Sequence, residues 1–421
     1  MSVLFLYVAI FVAAFVLYRL LAKVFSLGLQ KGLNKLKTVT FGDESTVRAN
    51  RFASVLSVIT IFLIWGAFTG SKLVPFAVPG PFLGDTSFEY TSENAQGQKA
   101  TSTVFARVHP LNAEAQMPET SGAAASGFAQ PDALTVPVRR QRLIKAQSND
   151  GENARVIAVA GQPIAPGDRI DVDNGQVGMS PRGTLIFIPD PGMQMEAIWL
   201  PPPEQVWSQF VNILTEKYQG FTLIEQTGWS LMRVVAGFLA GTIIGIPLGY
   251  AMGLSDWFRG WFDPIVEFMR PVPPLALIPL FIIWFGIGEL SKIGLLFLAA
   301  LWIMAIAARS GVSGVAIPKV HAAYSLGASK PQILSRVIIP NSLPEIFIGA
   351  RVAMGVCWGT VVAAELVAAE KGIGKMITVA SKFQRTDIMI IGIIVIGVIG
   401  FMIEVGMRMM ENRLIPWKGR V

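Results

Sequence analysis

The sequence has very few of the side chains that bind metals or carry acid–base chemistry. Cysteine occurs once, at Cys357, and histidine twice, at His109 and His321. A single thiol excludes an intrachain disulfide framework and a thiolate metal site. The two histidines are far apart in sequence, which argues against a histidine metal site or a catalytic triad. We therefore predict no catalytic residue and no metal site on this chain.

Charge is also scarce, whereas apolar residues are abundant. Charged residues make up 15% of the 421 residues and hydrophobic residues 52%. Runs of about 20 apolar residues can each cross a ~30 Å hydrocarbon core. Seven such runs are predicted to cross the membrane, at residues 3–21, 52–74, 229–254, 265–285, 291–308, 349–369 and 388–410.

The formal net charge of +7 has two interpretations. Nucleic-acid binding would require a basic stripe interleaved with aromatic residues, which the sequence lacks. Lys and Arg instead cluster beside the apolar runs, a pattern that is typical of cytoplasmic loops in membrane proteins. We expect the partner to be the lipid bilayer and not nucleic acid.

Charge placement also predicts the domain organisation. Residues 1–26 are interpreted as an extra transmembrane anchor rather than a signal peptide, because no basic residue precedes the apolar run and no small-x-small cleavage site follows it. Residues 27–51 form a basic linker, placed in the cytoplasm by the positive-inside rule. Residues 52–74 form the first core helix, and residues 200–421 form the core domain. The N-terminus is then periplasmic and the C-terminus cytoplasmic.

Residues 75–199 differ in character from the rest of the chain, since they are rich in Gly, Pro, Ser, Thr and Asp. The first part, from "TSENAQGQKATST" to "PETSGAAASGFAQPDA", is predicted to be loop or partly disordered chain. The later part has short β-branched runs separated by turn sequences such as Asp-Asn-Gly, which predicts a small β-rich unit. The predicted topology places this insertion in the periplasm.

A polar stretch, "HAAYSLGASKPQILSRVIIP", lies between two apolar runs. Gly327 is predicted to separate two short helices, with Pro331 beginning the second and Pro340 ending it. Ala322 and Ala323 leave room for another surface to approach closely. An ordinary amphipathic connector would also explain the pattern.

This stretch resembles the EAA loop of ABC importer permeases, in which a short coupling helix docks on the ATPase. The alanine pair, Gly327 and Pro340 match that motif in register, while His321 stands in place of the acidic residue. The resemblance assigns ATPase coupling to a loop at 312–345 and to seven of its residues: His321, Ala322, Ala323, Gly327, Ala328, Ser329 and Pro340.

Further motifs extend the resemblance to about 52–74 and 200–421. "RPVPPLA", "AAELVAA" and "RLIPWKG" are similar to the nitrate, sulfonate and taurine branch of these permeases, and most similar to taurine permeases. The resemblance implies an all-α polytopic fold of the type I importer kind, with six core helices plus one extra. It further implies a homodimer in the inner membrane with two ATPase subunits, which bind ATP and Mg, and a periplasmic substrate-binding protein.

Three features within the apolar runs have alternative interpretations. Five glycines recur every fourth residue and either pack within one subunit or form a sliding interface at the pore; they are Gly237, Gly241, Gly245, Gly249 and Gly253. Arg270 either attracts an anionic sulfonate or extends to lipid headgroups. Glu365 is either a pore or gate residue or a structural hydrogen-bond partner. Glu289 is expected to be interfacial.

The resulting functional prediction is a non-catalytic permease subunit for taurine or a related small sulfonate, driven by ATP hydrolysis on a partner. Alkanesulfonate, nitrate and bicarbonate are alternative substrates. A Gly-Lys pair in "EKGIGKMIT" is not a phosphate-binding loop, because Met376 replaces the Ser or Thr that would hold magnesium. A secondary transporter is disfavoured because Glu365 has no evident partner in the sequence, and a membrane scaffold because it would leave the coupling loop unexplained.

Overall fold

In the computed structural model, the described residues are 51–111, 113–120, 127–146, 149–150 and 154–417, with six isolated positions among the first 20. The predicted anchor at 1–26 and nearly all of the linker at 27–51 lie outside the described residues. The chain divides into two compact units, Met1–Glu204 and Gln205–Val421, and each is described by itself.

The first unit contains an apolar helix, α1 (Arg51–Thr69), which begins one residue before the predicted 52–74 run and ends five residues before its end. It ends at Thr69 because Gly70 takes a left-handed conformation, with φ +66°, which a glycine adopts without steric cost. Its indole at Trp65 donates a hydrogen bond to the carbonyl of Pro201 at 2.9 Å.

The rest of this unit is β-structure. Nine strands are described there: β1 (Gly84–Glu93), β2 (Lys99–His109), β3 (Asp132–Pro137), β4 (Arg142–Ile144), β5 (Arg155–Val159), β6 (Gln162–Pro163), β7 (Arg169–Val172), β8 (Gly175–Met179) and β9 (Leu185–Pro189). They form one sheet in the order β3-β2-β1-β5-β6 and a second in the order β4-β9-β8-β7. Apolar side chains of both sheets form one core, in which the rings of Phe88 and Phe187 stack with centroids 5.7 Å apart.

The prediction of loop or partly disordered chain was wrong for most of "TSENAQGQKATST", whereas residues 121–126, in the later part of the same predicted stretch, lie outside the described residues. The quoted sequence lies in the antiparallel pair β1–β2, the two longest strands of the unit. Alternate residues are buried along both strands, but several of them are polar, such as Ser92 and Ser102. The period-2 burial is therefore invisible to a pattern that counts only apolar residues.

The second unit is helical. Its helices, with α2 at the boundary, are α2 (Pro203–Thr215), α3 (Leu223–Leu254), α4 (Asp256–Met269), α5 (Ile278–Phe285), α6 (Glu289–Ser313), α7 (Ile317–Ser325), α8 (Lys330–Ile333), α9 (Ile339–Ala368), α10 (Ile373–Lys382) and α11 (Thr386–Leu414). Among the described residues, four helical segments are long and apolar enough to cross a membrane, or five if one bent pair is counted.

Contacts along the helices give their relative directions. A methyl group on Gly241 would lie 2.6 Å from Cβ of Ala300, and one on Gly253 would lie 2.9 Å from Cβ of Val312. Residue numbers increase in the same direction along both helices, so α3 and α6 are parallel. The segment between them must therefore return along the length of the unit.

The other long helices alternate in direction. Gly311 packs on Ser342, whereas the Cys357 thiol is 3.5 Å from the carbonyl of Leu296, so α6 and α9 are antiparallel. Helix α11 is in turn antiparallel to α9, because Trp358 bonds to Ile396 while Arg351 contacts Glu404, farther along α11. The end of α6, the start of α9 and the end of α11 consequently lie at the same end of the unit.

The single crossing predicted at 265–285 is in fact two helices. Asp256–Met269 and Pro274–Phe285 meet at 93°, and the break falls at Arg270–Pro273. Pro271, Pro273 and Pro274 lack the amide hydrogens that a continuous helix needs, and each proline disfavours helical backbone in the residue before it.

Candidate functional site

The predicted coupling segment connects α6 to α9 at one end of the helical unit. Helix α7 (Ile317–Ser325) ends before Gly327, whose φ of +81° is left-handed. Ser329 then caps α8, since its backbone N–H and its hydroxyl both donate to Oε1 of Gln332, at 2.8 and 3.0 Å. Pro331 lies in the first turn of α8, as the sequence predicted. The two short helices are thus separated by a glycine that no L-residue replaces without strain.

Most of this segment is exposed. His321, Ala322, Gly327 and Ser329 are exposed, and Ala323 and Ala328 are partly buried. The sequence pattern did not indicate the exposure of the large apolar side chains between them, of which Leu326 is 87% and Tyr324 50% exposed. Both side chains are therefore accessible within the segment that the sequence resemblance assigns to ATPase coupling.

The prediction that Pro340 ends the second helix was wrong. A π-helical turn, Leu334–Ile338, joins α8 to α9, and Lys330–Val367 is one helical segment of 38 residues. Pro340 lies in the first turn of α9. The wider π turn accommodates a ring without an N–H, because the i→i−4 ladder is already interrupted there.

Glu365, near the other end of α9, has a complete set of partners. It is fully buried and its carboxylate lies 2.5 Å from the Nη1 of Arg233. The hydroxyl of Ser230 donates to it at 2.8 Å, and the backbone N–H of Gly374 donates at 2.9 Å. Three donors thus surround a carboxylate that would otherwise be very unfavourable inside a helix bundle.

Arg233 extends this cluster to a third long helix. Its Nε and Nη2 donate to the two oxygens of Glu289 at 2.5 and 2.7 Å, and its Nη1 also donates to the carbonyl of Lys371 at 2.9 Å. Lys292 contacts Glu289 at 3.3 Å. Two cations and two carboxylates therefore compensate each other, and Arg233 links α3, α6 and α9. We call Arg233, Glu289, Lys292 and Glu365 the buried charge cluster.

Glu365 and two polar residues of α3 next to the cluster hold the turn that begins α10. The backbone N–H of Gly372 donates to the side chain of Gln226 at 2.5 Å, and that of Ile373 donates to the hydroxyl of Ser230 at 3.1 Å. Gly372 has φ +124° and lies against the Glu365 carboxylate. A side chain at position 372 would collide with that carboxylate, so glycine is required there.

Two sequence interpretations change accordingly. Glu365 does have a charged partner, so the absence of one no longer argues against a secondary transporter. Glu289 belongs to the buried charge cluster, although its side chain remains 37% exposed. Arg233 was missed because a single arginine four residues inside an apolar run resembles an end-of-helix cation. A search for complementary charges near the ends of the other apolar runs would have paired Arg233 with Glu365.

Arg270 lies elsewhere. It follows α4, its side chain is 66% exposed, and its guanidinium is 3.7 Å from Glu267. Glu267 in turn contacts Arg309 near the end of α6, whereas the buried charge cluster includes the first residue of α6, Glu289. The structure does not bring Arg270 and Glu365 together.

The glycine series on α3 packs against α6 of the same chain. Added methyl groups would lie 2.6 Å from Ala300 at position 241, 2.9 Å from Met304 at 245 and 2.6 Å from Ala308 at 249. These distances are well below an ordinary contact, so the two helix backbones approach as closely as glycine allows. Gly237 and Gly253 contact the same helix. The face is thus occupied within one subunit.

Residues 241–416 match the family described as binding-protein-dependent transport system inner membrane component. The taurine transport system permease protein TauC of Escherichia coli is 48% identical over 227 residues, which cover 53% of this chain and 82% of that protein. The nitrate import permease protein NrtB of a Synechocystis species is 31% identical over 226 residues, covering 52% and 81%.

The chain therefore belongs to the family of inner membrane components of binding-protein-dependent transport systems. It is an ABC transporter permease with several membrane-spanning helices, related to taurine, sulfonate and nitrate permeases. Among solved structures, the MetNI methionine ABC transporter is similar with a TM-score of 0.41 and 18% identity, covering 46% of this chain and 94% of that one.

Proposed function

We propose that this chain is the transmembrane subunit of an ATP-driven importer for taurine or a related small sulfonate. The 48% identity to a taurine permease supports this substrate over nitrate, alkanesulfonate or bicarbonate. ATP and Mg bind to two partner ATPase subunits, and a periplasmic binding protein delivers the substrate to a homodimer of this chain. The coupling segment and the end of α11 face the cytoplasm.

The observation that carries the coupling mechanism is the continuous helical segment Lys330–Val367. At 38 residues it is about 57 Å long, and it extends from the exposed coupling segment to the buried charge cluster at the opposite end. A displacement of the coupling segment by the ATPase would therefore be transmitted directly to Glu365. Such a continuous helical connection suits alternating access, because a packed element moves as a body.

ATP hydrolysis in the reconstituted complex tests this function. The chain is assembled in lipid with its ATPase, and hydrolysis is measured with and without taurine-loaded binding protein. We expect stimulation in the parent complex and its loss in Gly327→Val, because a β-branched residue is strained at φ +81°. Gly220→Val is the matched control, since Gly220 has φ +84° and open space around it, as Gly327 does.

The possible outcomes separate the parts of the proposal. Stimulation by nitrate or another anion but not by taurine would retain the importer and overturn the substrate. Equal losses in both glycine variants would overturn the specific role of the coupling segment. Failure to assemble with any ATPase would favour a membrane scaffold.

We further propose that the β-rich insertion docks the binding protein in the periplasm. Its incoming and outgoing chains are hydrogen-bonded to each other, since Met193 N–H donates to Pro79 at 2.8 Å and Phe82 N–H donates to Asp190 at 3.1 Å. The unit can therefore be removed at residues 81–195 with little disturbance of the flanking chain. Unchanged affinity for the binding protein and unchanged transport after this deletion would contradict the docking role.

A further inference from the structure

Helix α4 has an exposed face made of large aromatic and aliphatic side chains. Trp257, Trp261 and Phe268 are 64%, 62% and 73% exposed, and the indole rings of the two tryptophans are 6.0 Å apart. Their spacing of four and seven residues places them on one stripe of the helix. Ile265 and Phe258 widen the same stripe.

The opposite face of α4 is charged. Its members recur at intervals of three and four residues and thus form a second stripe: Asp256, Arg259, Asp263, Glu267 and Arg270. A third, narrow face is buried, where Val266 packs against Met252 of α3 and Ala305 of α6. One 14-residue helix therefore presents one side to the helical unit, one aromatic side and one charged side.

Helix α4 crosses the end of α6 instead of running along it. Asp263 and Glu267, one turn apart, both contact Arg309. The middle of the 25-residue helix α6 is Leu301, and Arg309 lies eight residues beyond it, about 12 Å of helix rise. Val266, on the buried face of α4, packs against Ala305, which is four residues or about 6 Å beyond the middle. Half of a ~30 Å hydrocarbon core is about 15 Å, so α4 lies in the outer part of the hydrocarbon core, just below the headgroups.

The length and the direction of α4 agree with a position near the membrane interface. Fourteen residues span only about 21 Å, which is too short to cross the bilayer. The 93° bend separates α4 from Pro274–Phe285, which leads back toward the start of α6. Pro274–Phe285 leads back along α6, where the ring of Phe281 lies beside Gly294.

We propose that α4 lies in the plane of the membrane interface and binds the phospholipid surface. The aromatic stripe enters the acyl boundary, where tryptophan is enriched, and the charged stripe faces headgroups and water. This inference goes beyond the proposed transport function. It also assigns Arg270 to the headgroup region and not to the substrate.

A second copy of this chain is the alternative occupant of the aromatic stripe, and the structure disfavours it. Membrane helices pack through small residues that allow close approach, as the glycine face of α3 does against α6. The exposed stripe of α4 has only bulky side chains. A face buried between helices would not require a charged stripe directly opposite.

Spin-label accessibility in the full complex, reconstituted in phospholipid nanodiscs, tests the proposal. Cysteine is introduced at Trp261, Arg259 or Leu239 in a Cys357→Ala background, and collision with oxygen and with a water-soluble nickel chelate is measured. Leu239 is an exposed residue near the middle of α3 and provides the reference for the bilayer centre. Phe268→Cys, on the same stripe, replaces the Trp261 variant if that one does not assemble.

We expect the label at 261 to favour oxygen and to lie within about 5–10 Å of the headgroup boundary, shallower than the label at 239. The label at 259 should favour the nickel chelate. A label at 261 as deep as that at 239 would make α4 a spanning helix and overturn the proposal. Protection from both reagents would show that a second copy covers the stripe, and preference for the chelate would show that it faces water.

Discussion

Replacing Arg233 by methionine removes the cation that joins three long helices. The methionine side chain has a similar length, so the change deletes charge and hydrogen bonds while retaining most of the volume. Glu365 would keep two hydrogen bonds, from Ser230 and Gly374, but would lose its charged partner while fully buried. Glu289 would retain the contact with Lys292.

The expected cost follows from this burial. Breaking a buried ion pair by removing one partner costs about 3–5 kcal/mol, because the remaining charge is left uncompensated. Arg270→Met is the matched control, since that side chain is 66% exposed and its ion pair is long, at 3.7 Å. An exposed pair contributes about 0–1 kcal/mol, so the control should change the free energy of unfolding by less than about 1 kcal/mol.

A double-mutant cycle makes the test specific to the pair. Denaturant-induced unfolding of the purified chain in detergent is followed by tryptophan fluorescence for Arg233→Met, Glu365→Gln and the double variant. We expect Arg233→Met to be strongly destabilised and Glu365→Gln less so, because Arg233 would keep its two hydrogen bonds to Glu289. The double variant should cost less than the sum of the two, because it no longer buries the unpaired Glu365 carboxylate. Additive effects, or an Arg233 variant as stable as the Arg270 control, would refute the buried charge cluster as a coupled unit.

Three further outcomes are expected. Gly241→Ala should lower the melting temperature in detergent and reduce the free energy of unfolding by about 1–3 kcal/mol, because its methyl group would lie 2.6 Å from Ala300. Gly228→Ala, which has open space on the same helix, is the control and should be neutral or stabilising. Leu326→Asn should abolish substrate-stimulated ATP hydrolysis if Leu326 contacts the ATPase. The melting temperature should not change, because this side chain is 87% exposed. Retained stimulation would exclude Leu326 from the surface that docks on the ATPase. Burial raises the pKa of Asp132, so ionisation of this carboxyl opposes folding. The β-rich unit should therefore lose stability as the pH rises from about 4. Hydrogen exchange of that unit, measured at each pH, should show this dependence in the parent chain and not in Asp132→Asn.

The sequence predicted the positions of the long helices of the second unit, because each contains an apolar run, but the run predicted at 349–369 misses the first ten residues of α9 (Ile339–Ala368). The runs predicted at 291–308 and 388–410 lie inside α6 and α11, which extend a few residues farther at each end. The sequence motifs also predicted the family, because their spacing is unusual, and the relatives confirm that family. The sequence pattern failed for the β1–β2 pair, where serine and threonine occupy buried positions, and for Pro340, where a π turn lets the helix continue.

Local pattern by itself determined that this chain is a polytopic membrane protein and predicted the coupling segment, because hydrophobic length, glycine and proline act within a few residues of their own position. Only the tertiary structure decided how Glu365 is satisfied, since Arg233 and Glu289 are 132 and 76 positions away from it in sequence. The direction of α4 across the end of α6 was likewise set by its contacts with Arg309. Such pairings depend on which helix faces meet, and that is a property of the packed bundle and not of any single segment.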